Sequence, residues 1–206
     1  MLLIEFEKIF QKDVAPIYIA HQKSFDAHGI HGCLHISRSL IICRALYKMF
    51  CEKGYKLDID KITYAVAFHD SGRIGGIIDY WEQNSRGICY DYLIKNNIPD
   101  AEYISNMILK NNSIKDHNYF CVYDTDVLEI MRPCTGIGVY NFNKSYLRCN
   151  HVFSNYDNFI REIIPFITET ESQKELYSDE NSLINLINYI NTNKEKYPTL
   201  YDASNS

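Results

Sequence analysis

The spacing of apolar residues restricts the fold of this sequence more than any other feature. In Leu34–Cys51, apolar side chains recur three and four positions apart, and Gly54 follows the segment. This spacing is typical of an amphipathic helix, whereas the strict alternation of a half-buried strand is rare along the chain. Only 9 glycines and 5 prolines occur in 206 residues, which disfavours turn-rich sandwiches and barrels. The sequence therefore predicts an all-α fold.

Seven segments carry the helical pattern. They are Leu34–Cys51, Asp60–Asp70, Trp81–Asn96, Ala101–Leu109, Phe120–Met131, Asp157–Thr168 and Ser182–Lys194. Glycines predict a loop at Ser71–Tyr80. The length fits one compact multi-helix domain, residues 1–198. Residues 199–206 are expected to form a disordered tail.

Charge and composition exclude several classes of protein. The chain has 21 basic and 26 acidic residues, a net charge of −5, which argues against a binder of polymeric nucleic acid. The most apolar stretch, Ile36–Phe50, contains three basic residues and is not expected to span a membrane. Seven scattered cysteines without a C-x-x-C pair favour reduced thiols and a cytoplasmic location. Met1–Phe10 does not resemble a secretory signal, so an exported protein would need a route without a cleaved signal.

Histidines and an arginine open the first long predicted helix. His31 and His35 are four positions apart, and Arg38 follows three positions later. If the helix extends back to His31, the three side chains share one face. Such a face suits a phosphate or a metal ion, although a solvated surface with no ligand fits the same spacing.

Further polar residues interrupt apolar segments. His69 and Asp70 end the run from Ala65 to Phe68, and Asp126 lies in another apolar segment, whose Asp124 and Glu129 are the expected exposed acids. An unpartnered polar group in a core costs several kcal/mol, so these side chains need partners. A divalent metal is one solution, and a capped helix end with a packed core histidine is another. Imidazoles and carboxylates suit Zn²⁺, Mn²⁺ or Fe²⁺ better than Ca²⁺.

The order of these residues resembles the signature of the HD superfamily of phosphohydrolases, carried by His35, His69, Asp70 and Asp126. The resemblance spans about residues 28–132. It implies an all-α domain that holds a divalent metal (Zn, Mn, Fe or Mg) through these four positions. It also implies hydrolysis of phosphomonoesters, nucleotides or phosphodiesters.

A closer resemblance is to the phosphodiesterase domain of the SidE family of bacterial effectors. It rests on the segments HGCLHISR (31–38), FHDSGR (68–73), DYWEQNS (79–85), DYLIKN (91–96) and YDTDVLEIMR (123–132). The resemblance implies cleavage of ADP-ribose groups linked to ubiquitin, with ubiquitin as a partner. It implies that His31 is the histidine that attacks phosphorus, and that Arg38 and Arg73 are the basic residues of the site.

The sequence departs from the SidE pattern at two positions. The family's catalytic glutamate falls near Asn84, two residues after Glu82, and its second catalytic histidine falls at Tyr123. The general acid of the family is therefore changed or missing here, which leaves phosphodiester or phosphomonoester chemistry on a different substrate open, and Glu82 is counted among the candidate catalytic residues. Trp81, beside the glycine loop, is expected to bind substrate together with Asn84 and Tyr123.

Two mechanisms and two classes of function remain open. In the first mechanism a metal ion activates water; in the second, His31 forms a phosphohistidine while Arg73 stabilises the charge and Glu82 orients His31. The substrate expected for a phosphodiesterase is a nucleotide or an ADP-ribose-like phosphodiester. The alternative is a binding module that keeps the fold and binds a nucleotide or a protein without turnover.

Overall fold

The computed structural model describes residues 1–24, 30–74, 81–110, 113–130, 147–149 and 156–206. Within these ranges every regular element is helical. In chain order they are α1 (Leu3–Ile9), a π-helical turn (Phe10–Val14), α2 (Ala15–Ser24), α3 (Cys33–Glu52), α4 (Ile59–Phe68), α5 (Trp81–Lys95), α6 (Ala101–Asn106), α7 (His117–Glu129), α8 (Tyr156–Ser172), α9 (Lys174–Tyr177), α10 (Ser182–Thr192) and α11 (Pro198–Ser204).

Helix α3 forms the centre of the domain. Every residue from Cys33 to Leu46 is buried, because α3 packs against α4, α7, α10 and α11. A helix surrounded in this way has no solvated face, so its polar residues must find partners inside the protein. These include His35, Arg38 and Arg44.

Aspartate caps fix the starts of the two helices that face α3 next to the site. The Asp58 carboxylate accepts a hydrogen bond from the Lys61 backbone N–H at the start of α4. The Asp116 carboxylate accepts one from the Tyr119 backbone N–H at the start of α7. Such caps satisfy backbone donors that a first helical turn leaves free, each stabilising by about 1 kcal/mol.

A tight turn follows α4. His69 occupies the C-cap position, and the Ser71 backbone N–H donates to the Phe68 carbonyl. The Gly72 N–H then donates to Ser85 Oγ of α5 at 2.8 Å. Together these contacts hold the residues after α4 against α5.

The expectation of a disordered tail at 199–206 is wrong. Pro198 begins α11, and Leu200 and Ala203 are fully buried. The Thr199 N–H and hydroxyl both donate to the Glu162 carboxylate. The last residues are therefore anchored by apolar packing against α3 and α10 and by these hydrogen bonds.

The all-α prediction is confirmed, and each of the seven predicted segments overlaps an observed helix. The helices at the beginning of the chain, α1 and α2, were not predicted from the spacing. The glycine loop expected at Ser71–Tyr80 is described to Ile74, and its remainder lies outside the described residues. In the part of the chain that the structure describes, no helix is long and apolar enough to cross a membrane.

Candidate active site

Four side chains converge where α3, α4 and α7 meet. His35 Nε2 lies 3.0 Å from His69 Nε2 and 3.5 Å from Asp70 Oδ2. His69 Nε2 lies 3.7 Å from Asp70 Oδ2 and 3.5 Å from Asp126 Oδ1. Asp126 Oδ1 is 3.9 Å from His35 Nε2. The structure thus brings together the four residues expected to bind metal, which we call the donor cluster; their role stays a prediction.

Both imidazoles of the donor cluster are fixed by what their Nδ1 atoms contact. His69 Nδ1 lies 2.7 Å from the carbonyl oxygen of Val66, which can only accept, so His69 donates. His35 Nδ1 lies 2.5 Å from Glu129 Oε2 and donates to that carboxylate. In each neutral ring the proton is therefore on Nδ1 and the lone pair is on Nε2. The two Nε2 atoms point at each other across the cluster.

The charges of the cluster shift the pKa values of its members. Burial by itself would lower the pKa of His35, but the carboxylates of Glu129 and Asp70 outweigh it and raise that pKa to about 9. Burial would raise the pKa of Asp126, but His69 lowers it to about 2. The pKa of Asp70 is likewise held well below its usual value, against burial, by the histidines around it. Both carboxylates are therefore ionised at neutral pH.

Arg38 lies behind the donor cluster and not at a substrate surface. It is fully buried, and its Nε and Nη2 lie 2.8 and 2.7 Å from Glu129 Oε1. Its Nη1 donates to Glu171 Oε2 at 2.9 Å. The expectation that Arg38 binds phosphate is wrong, because its guanidinium faces two carboxylates inside the protein.

His31 and Arg73 contact the two oxygens of Asp70. His31 Nδ1 lies 2.9 Å from Asp70 Oδ2, and Arg73 Nε lies 3.0 Å from Asp70 Oδ1. His31 precedes the first residue of α3, Cys33, so it does not share a helical face with His35 as the spacing suggested. Its side chain is 31% exposed, which makes it the most accessible histidine at the site.

A pocket opens beside the donor cluster and is bounded by α5, α7 and the segment that follows α6. Its lining residues are His69, Trp81, Glu82, Met107, Ile108, Lys110, Tyr119, Val122, Tyr123 and Asp126. Two cations flank the Trp81 ring: Arg73 at 4.1 Å and Lys110 at 5.2 Å from its centroid. Lys110 Nζ is also 3.5 Å from Asp126 Oδ2. The pocket therefore combines aromatic walls with positive charge next to the cluster.

The remaining expected site residues divide between this pocket and its surroundings. Tyr123 lines the pocket, and the Arg148 guanidinium lies over its ring. Glu82 also lines it, but its carboxylate accepts from the Lys110 backbone N–H, whereas Asp70 is the partner of His31. Among the described contacts, His31 is therefore paired with Asp70 and not with Glu82. Asn84 is exposed and donates to the Gly72 carbonyl, away from the lining residues.

Sequence reasoning missed two residues of the site, Glu129 and Lys110. Glu129 was expected to be exposed, yet it is fully buried. Its position three residues after Asp126, hence on the same helical face, was a usable signal. Asp124 was also expected to be exposed; it is buried and accepts from the backbone N–H groups of Arg148 and Cys149. No comparable signal marked Lys110, which follows α6 in an irregular segment.

Fold and site together define an all-α protein with a buried histidine–carboxylate cluster beside a cationic, aromatic pocket. The family model of the SidE phosphodiesterase (PDE) domain matches residues 8–196, and the chain belongs to this family. Comparisons with curated proteins and with solved structures gave no match. Membership of the family indicates phosphodiesterase activity.

Proposed function

We propose that this protein is an HD-type phosphodiesterase whose donor cluster binds a divalent metal ion. Its substrate is a nucleotide or ADP-ribose-like phosphodiester, including such a group carried on ubiquitin. The observation that carries the proposal is the arrangement of His35 and His69, whose Nε2 atoms lie 3.0 Å apart between two ionised carboxylates. Two lone pairs at this distance repel unless a proton or a cation lies between them.

The distances within the donor cluster fit a first-row metal ion. Ligand atoms at about 2.0 to 2.2 Å from a tetrahedral ion are about 3.3 to 3.6 Å from each other. The five separations given above run from 3.0 to 3.9 Å and so bracket this range, and the ligand atoms of His35, His69 and Asp126 all lie within 4.8 Å of one another. Two imidazoles and two carboxylates suit Zn²⁺, Mn²⁺ or Fe²⁺, whereas Mg²⁺ is served better by oxygen ligands. Such an ion stabilises charge on phosphoryl oxygens and makes water more acidic.

Arg73 and Lys110 supply the positive charge that a phosphodiester needs. Both cations lie against Trp81 and beside a carboxylate of the donor cluster, so a phosphate near the cluster is within their reach. Hydrogen bonds from ionised donors to phosphate are about twice as strong as neutral ones. The aromatic rings of Trp81 and Tyr123 offer surfaces on which a base or ribose packs.

The second route to the same reaction uses His31 without a metal. The hydrogen bond between His31 Nδ1 and Asp70 Oδ2 favours the tautomer whose lone pair is on Nε2, the atom that would attack phosphorus. Attack forms an N–P bond and expels the leaving alcohol; water then cleaves that bond and restores the ring. In this route the donor cluster is a buried hydrogen-bond network that holds Asp70.

A binding module is the competing class of function. It is favoured by Asn84 and Tyr123, which stand where the family resemblance implies catalytic groups. In the structure Asn84 holds the Gly72 carbonyl and Tyr123 packs under Arg148. Such a module would bind a phosphodiester in the pocket and leave it intact.

Metal content and turnover test the proposal together. Protein purified without chelator or histidine tag is expected to hold about one equivalent of a transition metal and to cleave an aryl phosphodiester. Asp126→Asn preserves size but weakens the ligand set, so it should lose both properties. Asp91→Asn, on the exposed face of α5, is the matched control. Turnover without metal would support the His31 route, and binding without turnover would support the module.

A further inference from the structure

We infer that Glu129 is the positioning residue that fixes His35 with its Nε2 lone pair directed into the donor cluster. The inference rests on the proposed metal-binding function, which it deepens by naming a residue outside the four ligands. Glu129 contacts the Nδ1 side of His35, the side opposite to the donor cluster, and it also contacts Arg38.

The two oxygens of the Glu129 carboxylate contact different side chains. Oε2 accepts from His35 Nδ1 at 2.5 Å, and Oε1 accepts from Arg38 Nε at 2.8 Å and forms an ion pair with Arg38 Nη2 at 2.7 Å. All three side chains are at most 1% exposed. Water therefore does not compete for these contacts, and the ring of His35 has little freedom to rotate away.

A carboxylate at this position controls which nitrogen of His35 can bind metal. Because a carboxylate paired with Arg38 only accepts, the neutral ring must carry its single proton on Nδ1, and its Nε2 lone pair is then the one that a metal ion can bind. A carboxylate behind a ligating histidine also makes that ligand more basic. His69 has a neutral backbone carbonyl in the equivalent position, so His35 is the more strongly supported ligand of the two.

Arg38 supplies the opposite charge for the buried Glu129 carboxylate. An unpaired charge at a fully buried position is costly, whereas a paired and hydrogen-bonded charge is tolerated. Arg38 is itself shared with Glu171 at 2.9 Å and Thr170 Oγ1 at 3.3 Å. It therefore keeps an ionic partner when Glu129 is neutralised, which makes a charge-removing variant of Glu129 compatible with folding.

Glu129→Gln gives a specific expected result. The Arg38 guanidinium can only donate hydrogen bonds. The oxygen of the new side-chain amide should therefore face Arg38, and the NH₂ of that amide should face His35. That NH₂ donates to His35 Nδ1, which moves the ring proton to Nε2 and points it into the donor cluster. We expect zinc affinity, measured by competition titration, to fall about 10- to 100-fold.

Glu171→Gln is the matched control, because it removes the other carboxylate on Arg38 without contacting His35. It should leave zinc affinity close to that of the unaltered protein. Unchanged zinc affinity in Glu129→Gln would overturn the inference. An equal loss of zinc affinity in Glu171→Gln would also overturn the inference. The effect would then come from a change in the ion pairs of Arg38 and not from the contact between Glu129 and His35.

A second measurement separates this inference from the metal proposal. The nitrogen shifts of His35, recorded by NMR on metal-free protein above about pH 9, report which ring nitrogen carries the proton. We expect Nδ1–H in the unaltered protein and Nε2–H in Glu129→Gln. If the unaltered protein takes up no metal, the proposed metal function fails, while this tautomer change would still support the positioning by Glu129. The same tautomer in both proteins would refute it.

Discussion

The Nε2 atoms of His35 and His69 lie 3.0 Å apart, although each ring donates its Nδ1 proton elsewhere. Without a ligand, one ring must carry a second proton on its Nε2, which donates a hydrogen bond to the Nε2 of the other ring. His35 is that ring, since two carboxylates raise its pKa to about 9 in spite of burial. A cation that enters the cluster therefore competes with this proton.

Zinc binding is consequently expected to tighten as the pH rises toward 9. Because binding must displace the His35 proton, the apparent affinity should increase about tenfold per pH unit below the pKa of His35. Calorimetric titration in two buffers with different ionisation enthalpies would count the protons released at each pH. A zinc affinity that stays constant between pH 6.5 and about 9 would contradict the assignment of the proton to His35.

The free energy of unfolding of the metal-free protein should fall as the pH rises over the same range. The pKa of His35 is about 9 when folded and near 6.5 when unfolded, so its protonated form stabilises the fold. This contribution is fully present below pH 6.5 and is lost as the pH rises through about 9. It is of the order of 3 kcal/mol, and urea unfolding on either side of this window measures it. Zinc-saturated protein should lose less, because its His35 has no such proton to release.

His31→Ala distinguishes the two proposed routes. If a metal ion activates water, the variant should retain measurable turnover, because Arg73 and the donor cluster remain. If His31 attacks phosphorus, turnover should disappear, and a phosphohistidine should be trappable in the unaltered protein by rapid acid quenching. Loss of turnover without any trappable phosphoenzyme would count against the covalent route.

The helices were predictable because their spacing is a local property of the sequence. Periodicity marks an apolar face wherever the helix packs, so α3, α4 and α7 were located to within a few residues. The four members of the donor cluster were also predictable from the sequence. Each is a polar residue in a segment whose apolar neighbours must be buried.

The contact between Arg38 and Glu129 was not predictable in the same way. A charged residue on a helix is usually solvated, and spacing does not report that α3 is surrounded on all sides. Only the packing of α3 against α7 brings Arg38 and Glu129, 91 positions apart, into contact. The final segment was misjudged for a similar reason: its polar composition concealed Leu200 and Ala203, which are buried in the tertiary structure.

Lys110 is expected to bind the phosphodiester. Its Nζ lies beside Asp126 and over Trp81, and its backbone N–H and carbonyl are held by Glu82 and Tyr119. Lys110→Ala should lower kcat/KM by about 10- to 100-fold, the value of one or two strong phosphate contacts. Steady-state kinetics with an aryl phosphodiester tests this.

The control for Lys110 is Lys115→Ala. Lys115 is an exposed lysine that also lies over an aromatic ring, that of Tyr119, but it is not among the residues that line the pocket. Its removal should leave kcat/KM nearly unchanged. Equal effects of the two substitutions would mean that general surface charge, and not the position of Lys110, attracts the substrate.

Gly72→Ala should destabilise the protein and disturb Arg73. A methyl group at Gly72 would lie 2.2 Å from the Ser85 backbone nitrogen and 2.4 Å from Asn84 Cβ, so the turn after α4 must move away from α5. Forced overpacking of this kind costs about 1 to 3 kcal/mol, measurable by urea unfolding. Gly87→Ala in α5 is the matched control, since its methyl group meets no atom within 4 Å and should stabilise the helix by about 0.5 to 1 kcal/mol. If Gly72→Ala were as stable as the unaltered protein, the close contact between this turn and α5 would be refuted.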